Sequence, residues 1–219
     1  MKNKPIPRCA WVPLAKEAYV AYHDTEWGVP QRDEHRLFEA IVLQGAQAGL
    51  AWETILNKRE NYRAAFDGFD PARVAEYDEG NIAALLENPG IVRNRLKVRS
   101  AVKNARVFLD MQQEFGGFSP WLWAWVDDTP QQSGVTTLAD IPASTPLSDA
   151  IAKELKKRGM NFVGTTIIYA LLQACGLVND HARDCFRYAE LGGKCAGPGL
   201  GAKMEKNVNP ALDTRPRTT

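Results

Sequence analysis

This chain of 219 residues is short of most features that announce a compartment, a membrane or a highly charged partner. No stretch approaches the roughly 20 apolar residues that a bilayer-spanning helix needs. The opening MKNKPIPRCAW has no continuous apolar segment of the kind a secretory signal carries. Four cysteines occur, without the close spacing of a small disulfide framework, so they fit a reducing cytosol and a cytoplasmic protein. With 27 Lys and Arg against 26 Asp and Glu, the formal net charge is only +1. Overall basicity therefore does not point to nucleic acid. There is no internal repeat and no glycine-rich phosphate loop. Hydrophobic residues make up 45% of the chain, enough for a full core in one domain or two intimate subdomains.

What is present reads as helix. Asp33 is placed to cap DEHRLFEAIVL, whose Leu37, Phe38 and Ile41 form one apolar stripe. LAWETILNKRENYRAAF repeats that spacing. Asp70-Pro71 opens another helix, because Pro is tolerated at the first helical position behind an Asp cap. GNIAALLEN ends at Pro89-Gly90, and IVRNRLKVRSAVKNARVFLDMQQEF continues as a long helix. PWLWAWV alternates like a strand but has no turn or partner strand nearby, so a buried helix or an irregular wall is expected. Thr145 caps a helix that stops at Gly159, and Thr165 or Thr166 caps one that ends at Gly176. The expected fold is all-α: a single globular helical domain over 1–190, followed at 191–219 by a Gly-, Pro- and Lys-rich tail expected to be disordered.

Three constellations carry chemistry. His181 and Cys185 are four apart, which on a helix would place both on one face. With Cys9 and His23 they would complete a closed tetrahedral two-Cys, two-His set for zinc, with no open position for a substrate. The gap from Cys9 to His23 fits no short zinc-finger motif, so spacing alone leaves the set open. Next, the turn at Pro89-Gly90 leaves N–H groups free at the start of the following helix, an attractive place for a phosphate. Arg93, Arg95, Lys97, Arg99, Lys103 and Arg106 add local positive charge. An ordinary helical hairpin with a solvated basic face would look the same. Finally, Trp11, Tyr19, Tyr22 and Trp27 lie close in sequence, and Gln44, Gln47 and Trp52 follow. Aromatic walls with a few amides suit a flat heterocycle, although each ring taken singly could be core. His35 is expected on a helix surface, Cys175 in the core, and Cys195 in the tail.

RCAWV, AYHDTEWGVP, QAGLAWETILNKRENYRAAFDGFDP, PGIVRNRLKV, ASTPLSDAIAKELKKRG and NFVGTTIIYALLQACGLVNDH occur in this order. In these blocks the chain closely resembles the bacterial 3-methyladenine DNA glycosylase I family, from about Arg8 to about Cys185. The resemblance implies a helix-hairpin-helix fold that flips and excises N3-methyladenine from double-stranded alkylated DNA. It implies one structural zinc on Cys9, His23, His181 and Cys185, and a DNA-binding hairpin at Pro89-Gly90 with Arg93 and Arg95 as nearby charge. It also implies a base pocket of Trp11, Tyr19, Tyr22, Trp27 and Trp52, with Trp52 stacking on the flipped base. Free 3-methyladenine would be the product. The expected state is a monomer without membrane contact, nucleoid-associated when acting.

One position departs from the resemblance. The family's pocket Glu aligns with Gln44, and the superfamily's usual catalytic Asp has no candidate. Adenine methylated at N3 is already cationic, so its glycosidic bond is weakened before the protein acts. A Gln amide can accept from the exocyclic amine while donating to N7, but it supplies no negative charge for a cationic base. Gln44 therefore keeps a second reading open, a damaged-base binder that does not cut. A zinc-stabilised DNA-binding regulator would leave the aromatic residues unexplained. A lyase step would need an activated Lys, and Lys97, Lys153, Lys156 and Lys157 read as charged helix faces.

Overall fold

In the computed structural model, residues 6–193 are described. The core-facing stripe of the first half forms α2, Glu34–Gln47, after a short α1, Glu17–Thr25. Asp33 caps α2 by accepting from the Arg36 N–H. LAWETILNKRENYRAAF divides into α3, Trp52–Leu56, and α4, Arg59–Ala65. The break comes where Asn57 and Lys58 close the first turn with the tighter bond from Lys58 N–H to the Ile55 carbonyl, 3.0 Å. Then follow α5, Pro71–Ala75, α6, Glu79–Glu87, and the long α7, Arg95–Phe115. PWLWAWV is helical through Ala124, in α8, Phe118–Ala124, with Trp125 as its C-cap and Val126 in the turn that follows.

The second half supplies α9, Pro146–Lys157, α10, Thr165–Ala174, and α11, Phe186–Glu190. Thr145 caps α9, but Gly164 and not a threonine occupies the cap of α10. The Thr165 hydroxyl is committed elsewhere, to Asp149 and Ser148. One departure from an all-helical chain is a two-residue parallel pair, β1 Gln131–Gln132 against β2 Val178–Asn179. From residue 194 onward the expected disordered tail, with Cys195, lies outside the described residues.

Packing follows the apolar stripes. Leu37, Phe38 and Ile41 of α2 meet Phe108 and Met111 of α7 and Leu171 and Leu172 of α10 in the main core. α7 lies along α5, and α9 pairs with α10. A second, smaller cluster joins the two ends of the chain: Cys9, Val12, Tyr22, Trp27, Leu56 and Cys185. Two glycines permit that junction. A Cβ on Gly28 (φ +80°) would come within 3.0 Å of the His181 ring, and one on Gly176 (φ +73°) within 2.5 Å of the Val29–Pro30 backbone.

Candidate functional site

α1, α2, α3 and α10 converge on a cavity of about 290 Å³. Trp11, Tyr19, Tyr22, Trp27, Gln44 and Trp52 all line it, so the structure brings together every pocket residue expected from sequence. The rings brace one another: Trp11 meets Trp27 edge-on at 4.8 Å between centroids, and Tyr22 tilts against Trp52 at 5.2 Å. Gln44 is buried, and among the described residues its amide has no hydrogen-bond partner. Burial raises the Tyr22 hydroxyl well above the usual tyrosine range, keeping it a neutral donor. Gln47, Leu138, Ile141, Ala170 and Gln173 complete a lining without one charged side chain. Leu138, Ile141 and Gln173 carry no local motif and were not expected.

Behind Tyr22, Gln44 and Trp52 lies a second cavity, of about 240 Å³, with charged walls. Its charges are already matched. Arg59 holds Glu26 through two bonds of 2.7 and 2.8 Å, and Arg63 pairs with Glu39 at 2.8 Å and with Glu60. The uncharged aromatic cavity is therefore the better seat for a flat ring, with this network as its rigid backing.

Cys9, His23, His181 and Cys185 are all buried, and their ligand atoms lie within 4.8 Å of one another. Cys185 Sγ is 3.5 Å from both His23 Nε2 and His181 Nδ1, and Cys9 Sγ is 3.5 Å from His181 Nδ1. Tetrahedral bonds of about 2.0–2.3 Å set ligand atoms about 3.3–3.8 Å apart, so the cluster fits one zinc-sized cation. The outer ring nitrogens are also placed for it: His23 Nδ1 meets Asp24 at 2.7 Å, and His181 Nε2 meets the Trp27 carbonyl at 3.0 Å. Asp24 is in turn gripped by Arg8, which holds its carboxyl below the usual range. Hydrogen bonding to Cys9 and both imidazoles drives the Cys185 thiol strongly down, while Cys9 is driven up by Cys185 and by burial. The helical reason given for the His181–Cys185 spacing does not hold. Residues 180–184 are irregular, and Cys185 is the N-cap of α11.

The hairpin differs from two helices joined by a tight turn. Residues 88–94 are non-helical, and α7 begins only at Arg95, where the Asn94 side chain accepts from Lys97 N–H. Tyr62 OH accepts from Val92 N–H at 3.1 Å, and Lys58 donates to the Pro89 carbonyl at 2.8 Å, fixing the loop to α4. Pro89, Arg93 and Arg95 are exposed and Gly90 half-buried; neither arginine enters an ion pair among the described residues. The other cations are less available. Arg99 pairs with Glu79, and Arg106 donates to the Ala75 carbonyl. Lys97 is no solvated face residue, because it donates to the Ala46 and Ala48 carbonyls and so caps the C-terminal end of α2. Desolvation lowers its ammonium.

A family model described as methyladenine glycosylase matches residues 11–188. The chain is 51% identical over 183 residues to DNA-3-methyladenine glycosylase 1 of Escherichia coli (strain K12), spanning 84% of this chain and 97% of that protein. A crystal structure of 3-methyladenine DNA glycosylase I matches with a TM-score of 0.79 and 54% identity, over 82% of this chain and 98% of that one. A variant of 3-methyladenine DNA glycosylase I, solved in complex with 3-methyladenine, matches with a TM-score of 0.77 and 34% identity, over 78% and 92% of the two chains.

Proposed function

Because the chain belongs to the methyladenine glycosylase family, we propose that it is a monofunctional DNA glycosylase of base excision repair, which flips N3-methyladenine out of alkylated double-stranded DNA and hydrolyses its N-glycosidic bond. The observation that carries this reading is the uncharged aromatic cavity of about 290 Å³ with Gln44 in its lining, the kind of site that suits a flat heterocycle. In this reading Trp52 stacks on the extruded base, and Gln44 and Tyr22 read its edge. Trp11, Tyr19 and Trp27 exclude water. The methylated adenine leaves as a good leaving group because it is already cationic, and water takes its place at C1′. The protein's work is to flip, desolvate and hold.

The hairpin around Pro89 and Gly90, with the exposed Arg93 and Arg95, holds the DNA backbone and carries no base information. One zinc would sit on Cys9, His23, His181 and Cys185. With all four positions filled by protein, its contribution when bound is to cross-link the chain ends. Residues 1–190 act as one helical domain and the protein as a monomer in the cytoplasm, at the nucleoid when acting. Among the described residues no helix is long and apolar enough to cross a membrane.

The deciding experiment incubates the zinc-loaded protein with methylating-agent-treated DNA and identifies the released bases. Free 3-methyladenine supports the reading. Tight binding of the damaged DNA with no base released would instead favour a non-cleaving recognition protein, the alternative that the neutral Gln44 amide keeps in play.

A further inference from the structure

The lining of the base cavity offers three amides, of which one has its orientation fixed from behind. Gln173 Nε2 donates to Asp180 Oδ2 at 2.7 Å, and Tyr169 OH donates to the same oxygen. Asp180 is only 1% exposed, and its other oxygen has no hydrogen-bond partner. A carboxylate that receives two donors can only accept, so the Gln173 amide nitrogen must face it. Gln173 Oε1 is thereby turned away from Asp180 and has no partner among the described residues. The main chain at this position is held separately, since the Gln173 carbonyl accepts from Gly28 and Gly176 N–H at 3.1 and 3.2 Å.

We propose that Gln173 is a base-reading residue, presenting Oε1 to the exocyclic amine of the flipped base, and that buried Asp180 is a positioning residue which fixes that amide and places negative charge behind an otherwise uncharged pocket. The inference rests on the base-pocket assignment above. An exocyclic amine has two N–H groups, so Gln44 and Gln173 can each accept one. The anionic group that complements a cationic base then stands one residue behind the lining, where low dielectric carries its field through the Gln173 amide. Asp180 also lines a small cavity of about 90 Å³, together with Arg8 and Asp184, that shares Trp11, Leu138 and Ile141 with the base cavity. Among the described residues the second Asp180 oxygen accepts no hydrogen bond, and Arg8 is held by Asp24.

The test uses the full-length, zinc-loaded protein and two probes: adenine, which is neutral, and 3,9-dimethyladeninium, a permanent cation. Gln173→Leu should weaken both about fivefold, the loss of one net hydrogen bond, with zinc content unchanged. Asp180→Asn should weaken the cation about tenfold while shifting adenine little, a selectivity change that a packing role would not produce. Wild-type affinity for both probes in Gln173→Leu, or equal losses for both in Asp180→Asn, overturns the proposal. If Asp180→Asn does not retain zinc, the Gln173→Leu measurement decides alone. Wild-type protein that binds neither probe overturns the base-pocket reading itself, and this proposal with it.

Discussion

Trp27 meets His181 twice: its carbonyl lies 3.0 Å from the imidazole Nε2, and its indole packs edge-on against the same ring at 4.6 Å between centroids. Trp11 likewise packs on His23 at 5.2 Å. The candidate metal ligands and the aromatic residues of the base cavity are thus one packed unit. Whatever orders the four ligands also sets the positions of the rings that line the cavity.

Metal analysis of protein purified without chelator should find one zinc per chain. Cys185→Ser and His23→Ala should each lose it and destabilise the fold by several kcal/mol, against the roughly 10–16 kcal/mol that structural zinc supplies to zinc-finger peptides. Affinity for free base should fall along with stability, because the rings lose their backing. Full thermal stability in metal-free protein would sink the idea.

Replacing Arg93 or Arg95 with Ala should weaken DNA binding equally on every sequence and reduce the salt slope by about 0.9 for each phosphate no longer neutralised. Arg106→Ala is the contrast, because that guanidinium is already committed to the Ala75 carbonyl. An unchanged slope in the Arg93 and Arg95 variants would move the phosphate site elsewhere.

In the pocket, Trp52→Ala should cost about 1–3 kcal/mol of base affinity, the range for base–aromatic stacking. Gln44→Ala should weaken binding without stopping base release, since the leaving group carries its own activation. Gln44→Glu should improve binding of a cationic base by about 1 kcal/mol, the margin between neutral and charge-assisted hydrogen bonds. Titration of each variant with free base checks all three, and identical affinity across the Gln44 series would remove it as a reading residue.

The outer wall has a pH limit. Leu138 and Ile141 flank Asp140, whose carboxylate accepts from Thr136 N–H and hydroxyl at 3.0 and 2.7 Å and from Thr137 N–H at 2.7 Å. The Thr136 hydroxyl, then these N–H groups, hold its pKa down to about 2. A depressed acid stabilises above its ordinary range and loses that contribution as pH falls toward the folded value. The turn should hold at pH 4 and open near pH 2. Carbon-13 NMR of the Asp140 carboxyl reads the midpoint directly, and a value near 4 would refute the triple grip.

Features set by neighbours in sequence were legible. Asp33, Asp70 and Thr145 cap the helices assigned to them, because a cap needs only N–H groups two or three residues onward. The aromatic residues of the pocket were found through motif blocks that resemble a known family. Other features depend on distant segments coming together. Gln173 reads locally as one polar residue on an apolar helix, and only the arrival of Asp180 gives its amide a direction. Lys97 reads as a charged face until the α2 carbonyls are brought beneath it. The His181–Cys185 pair was found by a helical argument, whereas an irregular turn positions it.

Cys9 Sγ and His181 Nδ1 stand 3.5 Å apart across 172 positions of sequence. Synthesis runs from one to the other, so Cys9 and His23 emerge from the ribosome long before His181 and Cys185 exist. α2, the hairpin and α7 are all made in the interval. Trp27 must wait for the irregular segment before α11 to gain the His181 imidazole it leans on. A nascent chain released before Cys185 would carry the hairpin without a finished aromatic cavity, so under the proposed function grip on DNA would precede competence to recognise damage.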